Sequence, residues 1–380
     1  MPPISERDAT MKITDIQADM LRLPLPRPML SGSSGGVGGK PRRHIDVPIC
    51  LIETDEGHTG LGFGWTLMGG GGAVAQFLKD DVAPYLIGRE VHVHAIVQEL
   101  TLKLQSMARA GIGRQAIGCV DIALWDLLGK EAGLPVWRLL GGTRTEVPCY
   151  GSDGGWLYMA PEEIAEAAQS YLDQGMFGVK MKVGHDDPQI DVERIETILE
   201  ALPEGTWLAV DANQQWTYEQ ALYAADAFAD LGVAWLEEPF LAEDISSHAR
   251  LVQKARLPIA AGENLSNRFE FQSYIDAGAI DILQPDVCRI GGITETAAVV
   301  GQGQATGRAV APHHMMELSQ HLACGLMHDG PIEHMPWLNA IFGDALTFEH
   351  GKLIAPTSPG LGLEITAEHR QEFGGDAPRR

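Results

Sequence analysis

Leu208-Ala209-Val210-Asp211-Ala212-Asn213, Ala234-Trp235-Leu236-Glu237-Glu238-Pro239 and Ile259-Ala260-Ala261-Gly262-Glu263-Asn264 state one theme: a short apolar run that stops on a carboxylate. Working outward, Lys182 closes Val179-Lys180-Met181-Lys182-Val183 ahead of them. Behind them Asp286 closes Ile282-Leu283-Gln284-Pro285-Asp286, His313 closes Ala309-Val310-Ala311-Pro312-His313, and Glu333 closes Gly330-Pro331-Ile332-Glu333. The gaps between these charged ends run from about 20 to 29 residues, close to the roughly 30 of one strand-plus-helix unit in a (β/α) barrel. A charged residue where a buried parallel strand stops is where such barrels carry chemistry.

Helical stretches at 162–174 and 188–202 lie between the charged ends, which predicts βαβ units and a parallel sheet over 146–347. Residues 11–65 alternate instead, at 13–23 and 47–54, with a turn at Asp55-Glu56-Gly57 and a glycine-serine loop at 31–39. That pattern predicts an antiparallel meander. A second glycine-rich loop is expected at 69–72. From about Val74 the period becomes helical, with Leu100, Leu104, Met107 and Ala108, then Ala116, Val120, Ala123, Leu124 and Leu127. Gly141 and Gly142 stand where a helix C-cap wants glycine. The expected organisation is an α+β domain at 11–145, a barrel at 146–347, and a short strand-like tail at 348–374 that returns to complete the first domain. Two glycine motifs, 34–40 and Gly60-Leu61-Gly62-Phe63-Gly64, fit neither a phosphate loop nor a dinucleotide fingerprint, and read as mobile loops.

A net charge of −23 at pH 7 over 380 residues leaves no basic face for nucleic acid or an anionic membrane surface. Five scattered cysteines without a C-x-x-C pair suit reduced thiols in a cytoplasm. No apolar run is long enough to span a membrane, and residues 1–10 are polar, without a signal-peptide core. The expectation is a cytoplasmic enzyme acting on a small molecule.

Asp211, Glu237 and Glu263 offer oxygen-only, anionic ligation, which suits Mg²⁺ first and Mn²⁺ second and disfavours zinc. Three helix N-caps are the plainer alternative. Lys180 and Lys182 share a strand face, and their mutual repulsion is expected to lower their pKa and make a neutral lysine base accessible; a solvated K-x-K strand is the competing reading. Asp286 can accept the Nδ1–H of His313 and leave Nε2 as a base, with His314 beside it structural. Glu333 is either a hydrogen-bonding acid beside a developing negative charge or a buried capping carboxylate. A lysine and a histidine–aspartate pair around a carboxylate-held metal is a device for removing the proton next to a carboxylate.

In this order and spacing the chain resembles the enolase superfamily and, within it, the mandelate racemase subgroup. Asp121-Ile122-Ala123-Leu124-Trp125-Asp126-Leu127, Leu139-Leu140-Gly141-Gly142 and the strand ends above carry the likeness over nearly the whole chain. The resemblance implies a modified TIM barrel, (β/α)7β, under an α+β N-terminal capping domain with lid loops. It also implies one Mg²⁺ per subunit on Asp211, Glu237 and Glu263, and Lys182 and His313 as opposed bases, with Asp286 activating His313. Lys180, Asn213 and Glu333 would contact the substrate, and the protein would be a homo-oligomer.

Asp211-Ala212-Asn213-Gln214-Gln215-Trp216, Arg289-Ile290-Gly291-Gly292-Ile293 and Trp337-Leu338-Asn339 are similar to acid-sugar dehydratases acting on talarate and galactarate. Those enzymes look to carry basic residues in the lid, where this chain has Trp65-Thr66-Leu67-Met68; Lys40, Arg42 and Arg43 are the possible substitutes. The expected reaction is Mg²⁺-dependent dehydration of an acid sugar to a 2-keto-3-deoxy acid. The alternatives are a racemase or epimerase of a 2-hydroxy acid with the same bases, and an idle family member used for binding.

Overall fold

The computed structural model describes residues 11–29, 41–67 and 69–374. The expectations for 1–10, for the loop at 31–39 with Lys40, and for Met68 fall outside the described residues.

β1 (Ile13–Met29), β2 (Arg42–Thr54) and β3 (Thr59–Phe63) form an antiparallel sheet in that order, as the alternating pattern predicts. The helix Gly111–Ala132 packs on this sheet, and the fit is tight enough to need glycine. A Cβ at Gly62 would lie 1.7 Å from the Cys119 carbonyl oxygen and one at Gly60 2.3 Å from that of Ala123. Gly60 to Gly64 is therefore no mobile loop; the glycines let a strand approach a helix backbone. Gly71 and Gly72 likewise open the helix Gly71–Phe77, so the second glycine-rich loop is shorter than expected.

The apolar spacing from Leu100 to Ala108 is not one helix. The helix Val93–Lys103 stops, Met107 is exposed, and the next helix starts at Gly111. That long helix closes on Gly133 in the left-handed conformation (φ 65°), where glycine escapes the Cβ penalty; Gly141 follows only a short helical turn, Val136–Leu139.

Eight strands then build the barrel: β4 (Glu146–Gly151), β5 (Gly178–Lys182), β6 (Trp207–Asp211), β7 (Leu236–Glu237), β8 (Ile259–Ala261), β9 (Ile282–Leu283), β10 (Ala309–Val310) and β11 (Ile332–His334). Neighbours from β4 to β10 pair in parallel, and β11 pairs in parallel with β4. The helices Pro161–Asp173 and Pro188–Ala201 cover the outside where the sequence places them. Each starts with proline at its first position, whose missing N–H costs a helix nothing there. The fold is a modified TIM barrel under an α+β cap.

The chain end departs from expectation. β12 (Thr347–Glu349) and β13 (Lys352–Ile354) form a hairpin whose second strand pairs antiparallel with β4, so it extends the barrel sheet. Only the residues beyond it reach the N-terminal elements. Leu361 N–H donates to Asp126, Gly360 bridges Pro135, and Gly374 bridges Leu21.

Inside the barrel, Tyr150, Ala209, Trp235, Ala260, Ile282 and Ala311 form one apolar layer, with Trp207 packed against it. Tyr150 and Trp235 meet edge to face at 5.7 Å, and Trp207 and Trp235 at 4.8 Å. These large rings fill the space that the alanines leave and give the site above them an apolar floor. All five cysteines are buried and unpaired. Among the described residues no helix is long and apolar enough to cross a membrane.

Candidate active site

The register of β5 on β6 sets the polar layer. Lys180 stands opposite Ala209 and Lys182 opposite Asp211. Lys182 therefore meets the Asp211 carboxylate directly, while Lys180 lies between a carboxylate of β7 and one of β11. Its ammonium lies 2.9 and 3.0 Å from the two Glu237 oxygens and 2.8 Å from Glu333. Asp211 also accepts from the backbone N–H and side-chain amide of Asn213 at 2.8 and 3.1 Å. Glu237 accepts from Gln284 at 2.9 Å.

Asp211, Glu237 and Glu263 each bring a carboxylate oxygen within 4.8 Å of the others, and all three are buried. Capping does not account for them: helix caps after these strands are supplied elsewhere, by Thr217, Asp244 and Asn267. A fourth carboxylate, Glu238, stands beside the three, held by the Asn264 amide at 2.9 and 3.0 Å. Burial, then Glu263 and Asp211, push Glu238 well above the usual carboxylate range. Burial raises Glu237 to about 7, with Lys180 opposing and Asp211 adding to the shift. Crowded buried carboxylates of this kind fit a divalent cation, which would relieve their repulsion and whose preferred ligand is anionic oxygen.

The expectation that the two lysines lower each other's pKa is overturned. Burial does press both downward, but Glu237 and Glu333 lift Lys180 well above its usual value, and Asp211 lifts Lys182 despite Lys180. Attraction to three carboxylates outweighs one like-charge neighbour.

On the opposite wall, His313 Nδ1 lies 2.8 Å from Asp286 and its Nε2 3.1 Å from Glu263. Burial lowers the imidazole pKa, yet Glu263 and Asp286 hold it above the ordinary value. Glu263 is held down at about 2, against burial, by His313, Arg289 and Lys182. His314 has other partners: its backbone N–H donates to Glu333 at 2.9 Å, and its ring packs edge-on against Trp65 and Trp337. Burial and the neighbouring His313 depress it to about 3.

A cavity of about 380 Å³ opens over this layer. Lys182, Asn213, Glu263 and His313 line it, together with Trp65, Leu67, Trp156, Met335 and Trp337. Lys180, Asp211, Glu237, Asp286 and Glu333 sit behind that lining. Three contributors were not assigned roles from the sequence. Glu238 is hidden in the doublet Glu237-Glu238. Arg289 donates to Glu263 at 2.9 Å. Trp65, expected in a lid, donates its indole N–H to Asp286 at 3.0 Å.

Residues 163–369 match the family described as Enolase C-terminal domain-like, and residues 42–141 match the Mandelate racemase / muconate lactonizing enzyme, N-terminal domain. The chain belongs to this family. Within the mandelate racemase/muconate lactonizing enzyme family it is similar to L-talarate/galactarate dehydratase of Salmonella typhimurium, 32% identical over 370 residues that cover 96% of this chain and 93% of the relative. It is also similar to 3,6-anhydro-alpha-L-galactonate cycloisomerase of Streptomyces coelicolor, 33% identical over 358 residues, covering 94% and 98%. Among solved structures, L-talarate dehydratase from Polaromonas sp. JS666, complexed with Mg and L-glucarate, superposes with a TM-score of 0.90 at 34% identity, covering 96% of this chain and 98% of that one. Relatives of equal similarity thus carry different reaction names, and family membership establishes an enzyme without choosing its substrate.

Proposed function

We propose that this protein is a Mg²⁺-dependent acid-sugar dehydratase that removes the proton next to a carboxylate and yields a 2-keto-3-deoxy acid. One observation carries the reading: Lys182 and His313, the latter backed by Asp286, line one cavity from different walls, with the three-carboxylate cluster between them. Asp211, Glu237 and Glu263 would hold Mg²⁺. When bound, the ion supplies positive charge beside the substrate carboxylate and lowers the cost of the enediolate. The dehydratase names of the Salmonella and Polaromonas relatives, and the Mg in the latter structure, support the assignment.

In this reading 146–347, extended by the hairpin of β12 and β13, is the catalytic barrel, and 11–145, joined by residues 355–374, is the cap. Asn213 and Lys182 meet the acid in the cavity, while Lys180 and Glu333 act from behind the carboxylate layer. Lys182 or His313 takes the C2 proton. The opposite residue, protonated, delivers its proton to the C3 hydroxyl as the C3–O bond breaks, and water leaves; the enol that remains takes a proton at C3 and gives up its C2 hydroxyl proton to become the 2-keto-3-deoxy acid. Asp286 keeps the Nδ1–H of His313 in place, so that Nε2 faces the reacting carbon.

A second reading, racemisation of a 2-hydroxy acid, is favoured by the apolar part of the cavity wall, where Trp65, Trp156, Trp337, Leu67 and Met335 stand beside the cations Lys182 and Arg289. One experiment separates the two: a library of mono- and diacid sugars incubated with enzyme and Mg²⁺ in D₂O, read for 2-keto acid and for C2 deuteration. Keto acid supports dehydration. Deuteration with inversion and no keto acid supports racemisation, and neither signal with any acid sinks both.

A further inference from the structure

Trp65 belongs to the segment that follows β3, far from the barrel in sequence, yet its indole ends in the proposed base pair. Backbone bonds between Asp46 and Thr66, at 3.0 and 2.8 Å, continue the β2 edge past Trp65 and fix it to the N-terminal sheet. The side chain is 3% exposed. Its Nε1–H donates to Asp286 Oδ2 at 3.0 Å, the same oxygen that lies 2.8 Å from His313 Nδ1. The other oxygen, Oδ1, accepts the backbone N–H groups of Cys288 and Arg289, both at 2.9 Å. The ring lies 4.4 Å under the Arg289 guanidinium and tilts 33° to the His313 ring at 5.9 Å.

Among the described residues Asp286 has four donors, and one of them, the Trp65 indole, comes from the N-terminal domain. Both backbone donors act on Oδ1, so on Oδ2 the indole stands beside His313 alone and anchors that oxygen from outside the barrel.

We propose that Trp65 is a positioning residue that fixes Asp286, and through it the His313 base, so that the two-base site is complete only when the N-terminal domain is docked. The proposal rests on the two-base reading above. Partners that orient a reactive histidine from behind typically matter by roughly 10–100-fold.

Trp65→Phe removes the N–H and keeps the ring against Arg289, His314 and Trp337. By ¹H NMR of the substrate-free protein, the downfield Nδ1–H signal assigned by its absence in His313→Asn should exchange with water about 10-fold faster in Trp65→Phe. In D₂O with Mg²⁺, galactarate and L-talarate, which differ in configuration at C2, serve as probes. The variant should lose about 10-fold or more of the exchange that depends on His313 and keep the exchange that depends on Lys182. Mg²⁺ affinity by calorimetry should stay within about 3-fold of wild type, a change of less than one kcal/mol.

Equal loss at both configurations, an unchanged Nδ1–H lifetime, or a loss confined to Mg²⁺ affinity would each overturn the proposal. The last would mean that Trp65 acts through Arg289 and Glu263. Wild-type enzyme that exchanges neither acid counts against the two-base reading with these probes, and the NMR lifetime then decides on Trp65 alone. Should Trp65→Phe not fold, the wild-type indole N–H decides. Protection from exchange as long-lived as that of His313 Nδ1–H supports the proposal, and free exchange refutes it.

Discussion

Lys180 holds both oxygens of Glu237, at 2.9 and 3.0 Å, and neither side chain lines the cavity. The lysine therefore neutralises a carboxylate of the cluster from behind while leaving the cavity side open. Glu237→Gln removes that charge. It should weaken Mg²⁺ binding by more than the roughly 10–100-fold typical of an outer partner, measured by calorimetry, with the far-UV CD spectrum retained. Full Mg²⁺ affinity and activity in the variant would refute the assigned cluster.

Lys182 and His313 should divide the labour by face. His313→Asn should keep C2 deuteration of one configuration and lose it for the other by about 10²–10⁴-fold, the span of general base catalysis; Lys182→Met should give the mirror image. Identical losses for both configurations in both variants would replace the two-base scheme with a one-base one.

The wall at Leu67 can be recharged. Leu67→Lys places an ammonium in a cavity otherwise lined there by Trp65, Trp156 and Trp337. A charge-assisted contact to a second carboxylate should raise kcat/KM for diacids over monoacids by about 10-fold. An unchanged ratio in a steady-state comparison of galactarate with galactonate would remove position 67 from the distal pocket.

Glu317 carries a pH signature away from the chemistry. It is 1% exposed, and burial pushes it up to about 7 from an ordinary 4.5. The folded state thus keeps a proton that the unfolded chain releases, so stability is full below pH 4.5 and is lost as pH rises toward 7. Glu317→Gln mimics the protonated form. It should be nearly neutral at pH 4 and stabilising by about 3 kcal/mol at pH 8, the value of roughly 2.5 pK units, as read by denaturant melts. A gain that does not grow with pH would show that the carboxyl finds a partner.

The barrel and its charged strand ends were legible because a parallel barrel concentrates chemistry where each strand stops, and the sequence shows a stop by breaking an apolar run. Asp211, Glu237, Glu263, Asp286, His313 and Glu333 all announce themselves that way. Trp65, Arg289 and Glu238 do not. The Trp65–Asp286 bond joins residues 221 apart, and nothing local marks an indole as the partner of a distant carboxylate. The lysine pKa went wrong for a related reason: adjacency along the strand shows Lys180 beside Lys182, while the carboxylates that outweigh this repulsion arrive from other strands. Gly60 to Gly64 misled because glycine serves close packing as readily as flexibility.

The aromatic floor of Tyr150, Trp207 and Trp235 makes the site a blind alley. Asp211 and Glu237 are fully buried beneath the cavity, so an ion reaches them past Lys182, Glu263 and His313, the same way an organic acid enters. Traffic then has an order. For an acid bound as proposed, the cation would have to arrive first and leave last, with the acid as the stopper that keeps it in.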